Sequence, residues 1–388
     1  MQFLGTCCRF VASRPLLRAG LCIFALPFGF AAAAAAPPKG KLERIVVSPD
    51  GRGFIRAESK TPFHPWGMNY GNAGRLMEDF WDEDWETFAS DFREMKKLGA
   101  NVVRVHLQFG KFMAAPARAN PAALRQYIRM LRLAEQVGIY VDVTGLACYR
   151  PIDSPAWYDD MDEAARWTAQ ANFWAAVAEA GAGSPAVFCY DLMNEPISPP
   201  KKREPGQWRS GRLFGDYDFL QYIAIDPAGR SREAIVAQWL GRMIPAIRKH
   251  DPAALITVGL LPWSQRLRHL SGFLPEHIAP PLDFISVHIY PHQERPAEAM
   301  EALRKVGVGK PVVIEETFLL SCNEAQLEKF MRDSREIACG WIGHYDGLTP
   351  EEATVLEKAK KLTLPQHIYR TWAQMMIRLK PKFVANDR

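Results

Sequence analysis

The chain has 388 residues, of which 48% are hydrophobic and 23% are charged, and its formal net charge is +5. This length and composition are typical of a globular protein of one large or two ordinary domains, and they exclude a disordered or fibrous protein. The small net charge and the lack of a basic stripe on any predicted helix argue against a nucleic-acid partner.

The first 36 residues predict a cleaved secretory signal peptide. Three arginines precede an apolar stretch from Leu21 to Phe30, and six alanines ending at Ala36 follow it. A basic start, a short apolar core and small residues at the end are the pattern of such a peptide, and the apolar stretch is short for a membrane span. We therefore expect a secreted or periplasmic protein without stable membrane association, whose mature domain covers residues 37–388.

Four cysteines remain after the predicted leader, namely Cys148, Cys189, Cys322 and Cys339. No C-x-x-C pair occurs among them, so the spacing does not indicate a zinc site. Buried free thiols are the favoured interpretation, although export would also permit a bridge between Cys322 and Cys339.

Strands and helices alternate along the rest of the chain. A hairpin is predicted around Pro49-Asp50-Gly51, and eight apolar strands separated by amphipathic helices follow it. The predicted strands cover residues 63–69, 101–106, 139–144, 186–194, 255–261, 284–290, 311–316 and 338–344. The main predicted helices cover about 85–98, 121–137, 161–180, 231–250, 296–306, 324–337 and 364–379.

Eight strands separated by helices over roughly 330 residues predict a single α/β domain, a (β/α)₈ TIM barrel with a short N-terminal β-hairpin. A doubly wound sheet is the alternative. It would normally show a glycine-rich first turn, but neither G-x-G-x-x-G nor a Walker loop occurs in the chain. The sequence therefore indicates no nucleotide or other cofactor.

Two of the predicted strands end in glutamate. The fourth strand ends in Asn194-Glu195-Pro196 and the seventh in Glu315-Glu316-Thr317. Because catalytic groups of such barrels lie at the carboxyl ends of the strands, these carboxylates are expected to share one mouth. Two carboxylates that flank a glycosidic bond can protonate the leaving oxygen and attack the anomeric carbon. Strand alternation is expected to point only one of the neighbours Glu315 and Glu316 into the mouth.

The chain resembles glycoside hydrolase family 5, the cellulase and mannanase family of retaining (β/α)₈-barrel glycosidases, as a divergent member. The resemblance covers nearly all of residues 37–388. It is carried by Arg104, Asn194-Glu195-Pro196, His288 and Tyr290 in Ser286-Val287-His288-Ile289-Tyr290, Glu316 and Trp341. The resemblance implies that Glu195 is the acid/base and that Glu316, rather than Glu315, is the nucleophile.

The resemblance also implies substrate-binding roles for five further residues. Arg104 and Tyr290 would keep the nucleophile ionised and oriented, since a nearby cation lowers the pKa of a carboxyl group. Asn194 would bind the sugar 2-hydroxyl. His288 would neighbour the acid/base, and Trp341 would form the floor of the sugar site.

Two departures from the family pattern mark the chain as divergent. Many members carry a histidine at the end of the third strand, where this chain has Thr144-Gly145-Leu146-Ala147-Cys148-Tyr149, and His106 on the second strand is the candidate replacement. The common Glu-Phe-Gly turn is here Glu316-Thr317-Phe318. Both departures affect the predicted substrate more than the predicted mechanism.

The sequence therefore predicts a secreted retaining hydrolase that cleaves β-glycosidic bonds in a polysaccharide or oligosaccharide, first as an endo-β-glucanase or β-mannanase. An exo-acting β-glycosidase of the same clan and a non-catalytic sugar-binding barrel are the alternatives. A metal-dependent hydrolase is disfavoured, because the first strand offers only His64 where such barrels usually have two histidines. The long segment 199–230 is expected to wall one end of the cleft and favour shorter chains.

Overall fold

The computed structural model describes residues 42–211, 217–262 and 271–384. The predicted leader and the predicted domain boundary after residue 36 lie outside these ranges and stay predictions. Within them, every helix is too short or too polar to span a bilayer.

Three short strands form an antiparallel sheet at the start of the described chain. Ile45–Val47 pairs with Phe54–Arg56, which confirms the predicted hairpin, and Phe54–Arg56 also pairs with Pro62–Phe63. The hairpin turn contains Gly51 at φ 70°, a left-handed conformation that glycine adopts at little cost. The sheet packs its apolar side chains against inward-facing residues of the barrel strands. This apolar cluster includes Ile45, Phe54, Phe63, Val102, Tyr140, Phe188, Leu255, Phe284, Val313 and Ile342.

Eight parallel strands form a closed barrel in chain order, which confirms the predicted (β/α)₈ fold. The strands are β1 (Trp66–Gly71), β2 (Val102–Gln108), β3 (Tyr140–Ala147), β4 (Val187–Asn194), β5 (Leu255–Leu260), β6 (Ile285–His288), β7 (Val312–Glu316) and β8 (Gly340–Asp346). Almost every residue of these strands is buried, as expected for parallel strands covered by helices. The N-terminal sheet closes the end of the barrel at which the strands begin.

Helices follow the strands around the outside of the barrel. They are α1 (Trp85–Lys97), α2 (Pro121–Val137), α3 (Glu163–Gly181), α4 (Arg232–Arg248), α5 (Pro275–Ile278), α6 (Pro296–Val306), α7 (Glu324–Ser334), α8 (Pro350–Lys358) and α9 (Leu364–Phe383). Helix α2 begins and ends at the residues that the sequence predicted, after Asn120 and before Gly138. Asn120 accepts a hydrogen bond from the Ala122 amide, and Gly138 ends the helix at φ 74°. Helix α8 was not predicted, because it buries little apolar surface and begins only with a capping box at Thr349.

The barrel interior changes from apolar to polar along the strands. On β2, Val102 belongs to the apolar cluster, whereas Arg104 two residues later is buried among polar side chains. Asn69 on β1 is level with Arg104, and Arg104 is level with Asp142 on β3. A buried charged layer therefore lies directly beneath the carboxyl ends of the strands, where a barrel has its active site.

All four cysteines of the predicted mature chain are free thiols. Cys148 and Cys189 are buried, and burial raises the pKa of both thiols well above the ordinary value. Cys322 and Cys339 are partly exposed and do not form the bridge that export would have permitted. The stability of the domain therefore comes from its core rather than from covalent cross-links.

Candidate active site

Glu195 follows the last residue of β4 in an unusual backbone conformation. Its φ is 46°, in the left-handed region, which costs a non-glycine residue about 1–2 kcal/mol. The Glu195 amide donates a hydrogen bond to the carbonyl of Gly259 at 2.9 Å, which fixes this turn to β5. The turn directs the carboxylate towards His288, whose Nδ1 lies 3.0 Å from Oε1 of Glu195.

Only Glu316 reaches the mouth, as expected, but Glu315 also points into the barrel, at a greater depth. Ile314 pairs with one residue of β6 and Glu316 pairs with the next, so Glu315 is an extra residue in β7. Such a bulge interrupts the alternation of side chains. Glu315 is fully buried and accepts a hydrogen bond from Ser286 Oγ at 3.0 Å, whereas Glu316 reaches the mouth of the barrel.

The Glu316 carboxylate is held by hydrogen bonds on both oxygens. Arg104 Nη1 donates to Oε1 at 2.6 Å, and the Tyr290 hydroxyl donates to Oε2 at 2.6 Å. Burial by itself raises the pKa of Glu316. The positive charges of His288 and Arg104, the neighbouring His344 and the Tyr290 hydroxyl outweigh burial and hold the pKa well below its usual range. Glu316 is therefore ionised at neutral pH.

His288 lies between three carboxylates. Its Nδ1 faces Glu195 at 3.0 Å and its Nε2 faces Oε2 of Glu315 at 3.4 Å. Burial by itself lowers the pKa of His288, but the charge of Glu316 and the hydrogen bonds to Glu195 and Glu315 raise the pKa to about 10. His288 is therefore an imidazolium at neutral pH, with a hydrogen on each ring nitrogen.

Arg104 connects the buried layer to the mouth. Besides Glu316, its guanidinium donates to Asn69 at 2.8 Å, to Asp191 at 2.7 Å and to Asn194 at 3.0 Å. Asp142 lies in the same layer, and burial together with the charge of Glu315 raises its pKa well above the usual range. The Arg104 guanidinium is the cation shared by the carboxylates of Asp191, Glu315 and Glu316 in and above this layer.

Two predicted site residues and one candidate replacement lie where they were expected. Asn194 and Tyr290 are at the mouth, and His106 of β2 occupies the space near the end of β3, with Nδ1 hydrogen-bonded to the Tyr149 hydroxyl and Nε2 3.3 Å from Arg104. Burial and the nearby Arg104 hold the pKa of His106 well below its ordinary value. His106 is therefore neutral at pH 7, unlike His288.

The structure does not bring Trp341 to the site, so its predicted role as the floor of the sugar site is contradicted. Trp341 is the second residue of β8, and its Nε1 donates to Ser334 Oγ at 2.8 Å, beside Phe383 of α9. His344, three residues later, faces the mouth instead and lies 2.9 Å from the Tyr290 hydroxyl. Side chains alternate along a strand, so residues three apart point to opposite faces.

Three further residues, which the sequence patterns did not single out, support the site. Asn69, Asp191 and His344 each contact Arg104 or Tyr290 directly. A polar residue within an otherwise apolar buried strand was the available signal, because burying such a group is costly unless it is hydrogen-bonded.

The three side chains in the described ranges that lie close enough to share a cation are Glu195, His288 and Glu316. One ligand atom of each lies within 4.8 Å of the others. Both nitrogens of His288 face carboxylate oxygens, at 3.0 Å for Glu195 and 3.4 Å for Glu315, so both are used by hydrogen bonds within the cluster. We therefore interpret the group as a hydrogen-bonded cluster of two carboxyl groups and an imidazolium.

A charged cluster of this kind at the mouth of a (β/α)₈ barrel is typical of barrel glycosidases, and comparison with known proteins identifies the family. The family model "Cellulase (glycosyl hydrolase family 5)" matches residues 58–368. The chain therefore belongs to glycosyl hydrolase family 5. It is a glycoside hydrolase by family, so the prediction of this enzyme class is confirmed. No curated protein matches the chain.

Solved structures show the same fold at low identity. An exo-β-1,4-mannosidase from Opitutaceae bacterium strain TAV5 is 19% identical with a TM-score of 0.58, over 86% of this chain and 63% of the other, so this chain spans less than two thirds of that protein. A β-1,4-mannanase from the sea hare Aplysia kurodai is 14% identical with a TM-score of 0.58, over 88% and 98% of the two chains. The catalytic domain of Thermobifida fusca endoglucanase Cel5A is 18% identical with a TM-score of 0.53, over 86% and 100%.

Replacing Arg104 by lysine is expected to lower kcat/KM about 100-fold, because an ammonium cannot bind four partners as the guanidinium does. Weaker stabilisation of the Glu316 carboxylate raises the pKa of Glu316. The ionised form is then lost at a higher pH, so the acidic limb of the kcat/KM profile shifts to higher pH. Arg295→Lys, at an exposed arginine, is the matched control. A folded Arg104→Lys variant with an unchanged pH profile would restrict Arg104 to a structural role.

Gly259 allows the charged groups to converge, and Gly259→Ala is expected to destabilise the protein by about 1–3 kcal/mol. A Cβ there would lie 2.9 Å from Arg104 Nη2, 2.9 Å from His288 Nε2 and 3.0 Å from Glu315 Oε2. Gly241→Ala in α4, where a Cβ would have no neighbour within 4 Å, is the control. It should stabilise the protein slightly, because alanine has a higher helix propensity than glycine. Urea unfolding measures both, and equal stabilities for the two variants would contradict the expectation.

Proposed function

We propose that the protein is a retaining β-glycosidase with Glu195 as acid/base and Glu316 as nucleophile. The observation that supports this most directly is the short distance between the two carboxyl groups. One carboxylate oxygen of Glu195 lies within 4.8 Å of one carboxylate oxygen of Glu316. Retaining enzymes have carboxyl groups about 5–5.5 Å apart, whereas inverting enzymes leave about 6.5–9.5 Å for a water molecule.

In the first half of the reaction, an oxygen of Glu316 attacks the anomeric carbon while Glu195 gives its proton to the glycosidic oxygen. The bond between the anomeric carbon and that oxygen breaks, and an ester bond to Glu316 forms. Arg104 and Tyr290 prepare this step because they keep the attacking carboxylate ionised and in position.

In the second half, the Glu195 carboxylate takes a proton from water, and the oxygen of that water attacks the anomeric carbon. The ester bond breaks, Glu316 leaves as a carboxylate, and both residues return to their starting states. His288 lies next to Glu195 in both halves, and the hydrogen bond between its Nδ1 and Oε1 of Glu195 at 3.0 Å holds the Glu195 side chain in position.

The substrate we propose is a β-linked glucan or mannan chain, or an oligosaccharide of either. Asn194 Nδ2 has two hydrogens and gives one of them to the carbonyl of Phe219 at 3.2 Å, so the second can bind a sugar hydroxyl. Solved relatives of the same fold include proteins described as a mannanase, a mannosidase and an endoglucanase. Attack inside a chain requires a cleft open on both sides, whereas attack at an end requires a pocket.

We also propose that the protein is exported and that the leader is cleaved within the alanine run ending at Ala36. The support is the arginine-rich start followed by a short apolar stretch. Expression of the full-length gene followed by mass determination of the exported protein tests this. A mass that includes residues 1–36 would contradict cleavage.

The experiment that tests the proposed activity is the release of reducing sugar from a panel of β-glucans, mannans, xylans and aryl β-glycosides. Protein lacking residues 1–36 is used, and Glu316→Gln provides the blank. We expect release from at least one glucan or mannan substrate that disappears in the variant. Release that persists in the variant would contradict the proposed nucleophile. No release by folded wild-type protein from any substrate of the panel would contradict the proposed substrates.

A further inference from the structure

The loop that follows β4 crosses the mouth of the barrel and joins the loop that follows β1. The Tyr217 hydroxyl donates a hydrogen bond to the carbonyl of Gly74 at 2.5 Å. β1 and β4 are separated by two strands in the closed barrel, so this contact spans the mouth above β2 and β3. We call residues 217–219 together with the Gly74 contact the β4 bridge.

The loop after β3 supports the β4 bridge. The Asp218 amide donates to the carbonyl of Tyr149 at 2.7 Å. Arg150 of the same loop pairs with both oxygens of Asp79, at 2.8 and 2.9 Å, and so connects the loops after β3 and β1. Three loops are thus connected by hydrogen bonds along one half of the mouth.

Aromatic rings fill the space beneath the β4 bridge. The ring of Phe219 lies 5.0 Å from that of Tyr149 in an edge contact and 5.5 Å from that of Tyr217. Tyr149 is hydrogen-bonded to His106 and is almost completely buried. The carbonyl of Phe219 accepts a hydrogen bond from Asn194, so the filled region begins in direct contact with the residues around Glu195.

We infer that the β4 bridge makes the active site a pocket for a chain end, so that the enzyme removes short units from the non-reducing end of a β-linked glucan or mannan. This inference rests on the proposed function, in which Asn194 binds the sugar that becomes attached to Glu316. The bridge contacts Asn194 and therefore lies on the side of that sugar. A chain that continued beyond the bound sugar in that direction would meet the loops joined to Gly74 and the rings of Phe219 and Tyr217.

The product pattern on a soluble β-glucan or β-mannan, and on oligosaccharides labelled at the reducing end, tests the inference. Wild-type protein is expected to release mono- or disaccharides from the first time point, with little loss of polymer viscosity. In Tyr217→Ala, which removes both the ring and the hydrogen bond to Gly74, products of intermediate length should appear early and viscosity should fall faster for each reducing end formed.

Tyr222→Phe is the matched control, because it removes a tyrosine hydroxyl from the same loop away from Gly74, where the ring packs on Arg203. This variant should keep the wild-type product pattern. Intermediate products from the wild-type enzyme itself would overturn the inference and leave the proposed function standing. An unchanged pattern in folded Tyr217→Ala would overturn the role of the bridge. The absence of any hydrolysis by wild-type protein would overturn both proposals.

Discussion

Glu316→Gln is expected to fold normally and to lose turnover by about 10,000-fold or more, the scale seen when a catalytic nucleophile is removed. An amide has almost the shape of the carboxylate, so the hydrogen bond from Tyr290 can be retained. It carries no negative charge and is a poor nucleophile, so the ester intermediate cannot form. Steady-state rates on an activated aryl β-glycoside, together with urea unfolding of both proteins, measure the two effects.

Glu315→Gln separates the nucleophile from its neighbour. Glu315 lies in the buried layer 3.4 Å from His288 Nε2 and 3.5 Å from Arg104 Nη2, so the loss of its charge should lower stability and slow the reaction. The variant should still form a covalent intermediate, since Glu316 remains. A slow 2-fluoro aryl glycoside would trap that ester, and peptide mapping by mass spectrometry should place it on Glu316 in both wild type and variant. A label on Glu315 would contradict the proposed mechanism.

Glu195→Ala is expected to slow hydrolysis by about 100- to 10,000-fold for substrates with poor leaving groups, the range attributed to general acid catalysis. The loss should be much smaller for a dinitrophenyl β-glycoside, because that leaving group departs without a proton. The deglycosylation step then becomes rate-limiting, since the general base is also missing. A comparison of kcat/KM across leaving groups of graded acidity measures this dependence.

Azide provides the second readout for Glu195→Ala. The small anion attacks the anomeric carbon of the ester intermediate without needing a base, and the ester bond to Glu316 breaks as the new carbon–nitrogen bond forms. Turnover of the dinitrophenyl substrate should therefore rise with azide concentration and give the β-glycosyl azide. Equal losses for good and poor leaving groups, with no effect of azide, would assign Glu195 to binding rather than to proton transfer.

Much of the fold follows from local patterns in the sequence. The predicted boundaries of α6 agree with the structure, and those of most strands agree to within two or three residues, because strand length and apolar periodicity are local properties. The proposed catalytic pair could also be predicted, since Glu195 and Glu316 end strands four and seven of a barrel whose strand ends must meet at one mouth. Helix α8 could not be predicted in this way, because few of its side chains are buried and its sequence therefore lacks an apolar stripe.

The error at Trp341 arises because the orientation of a side chain depends on register. Trp341 was assigned to the mouth because it lies on the eighth strand, yet it points to the surrounding helices and His344 faces the mouth. Only Glu316 reaches the mouth, as expected, but a register shift between β6 and β7 also turns Glu315 inward beneath it. A bulge depends on pairing with a neighbouring strand, and the sequence of one strand does not record it.

The sequence by itself determined the barrel and the two carboxylates, because each follows from a pattern at a predicted strand end, whereas Arg104, His288 and Tyr290 were implied by the resemblance to family 5. Only the tertiary structure decided the charge state of those groups. It places His288 between Glu195 and Glu315 and makes it an imidazolium, whereas it leaves His106 neutral beside Arg104. The tertiary structure also revealed the contact between Tyr217 and Gly74, which joins residues 143 positions apart in the chain. Charge state and loop contact both depend on distances between remote segments, which folding alone sets.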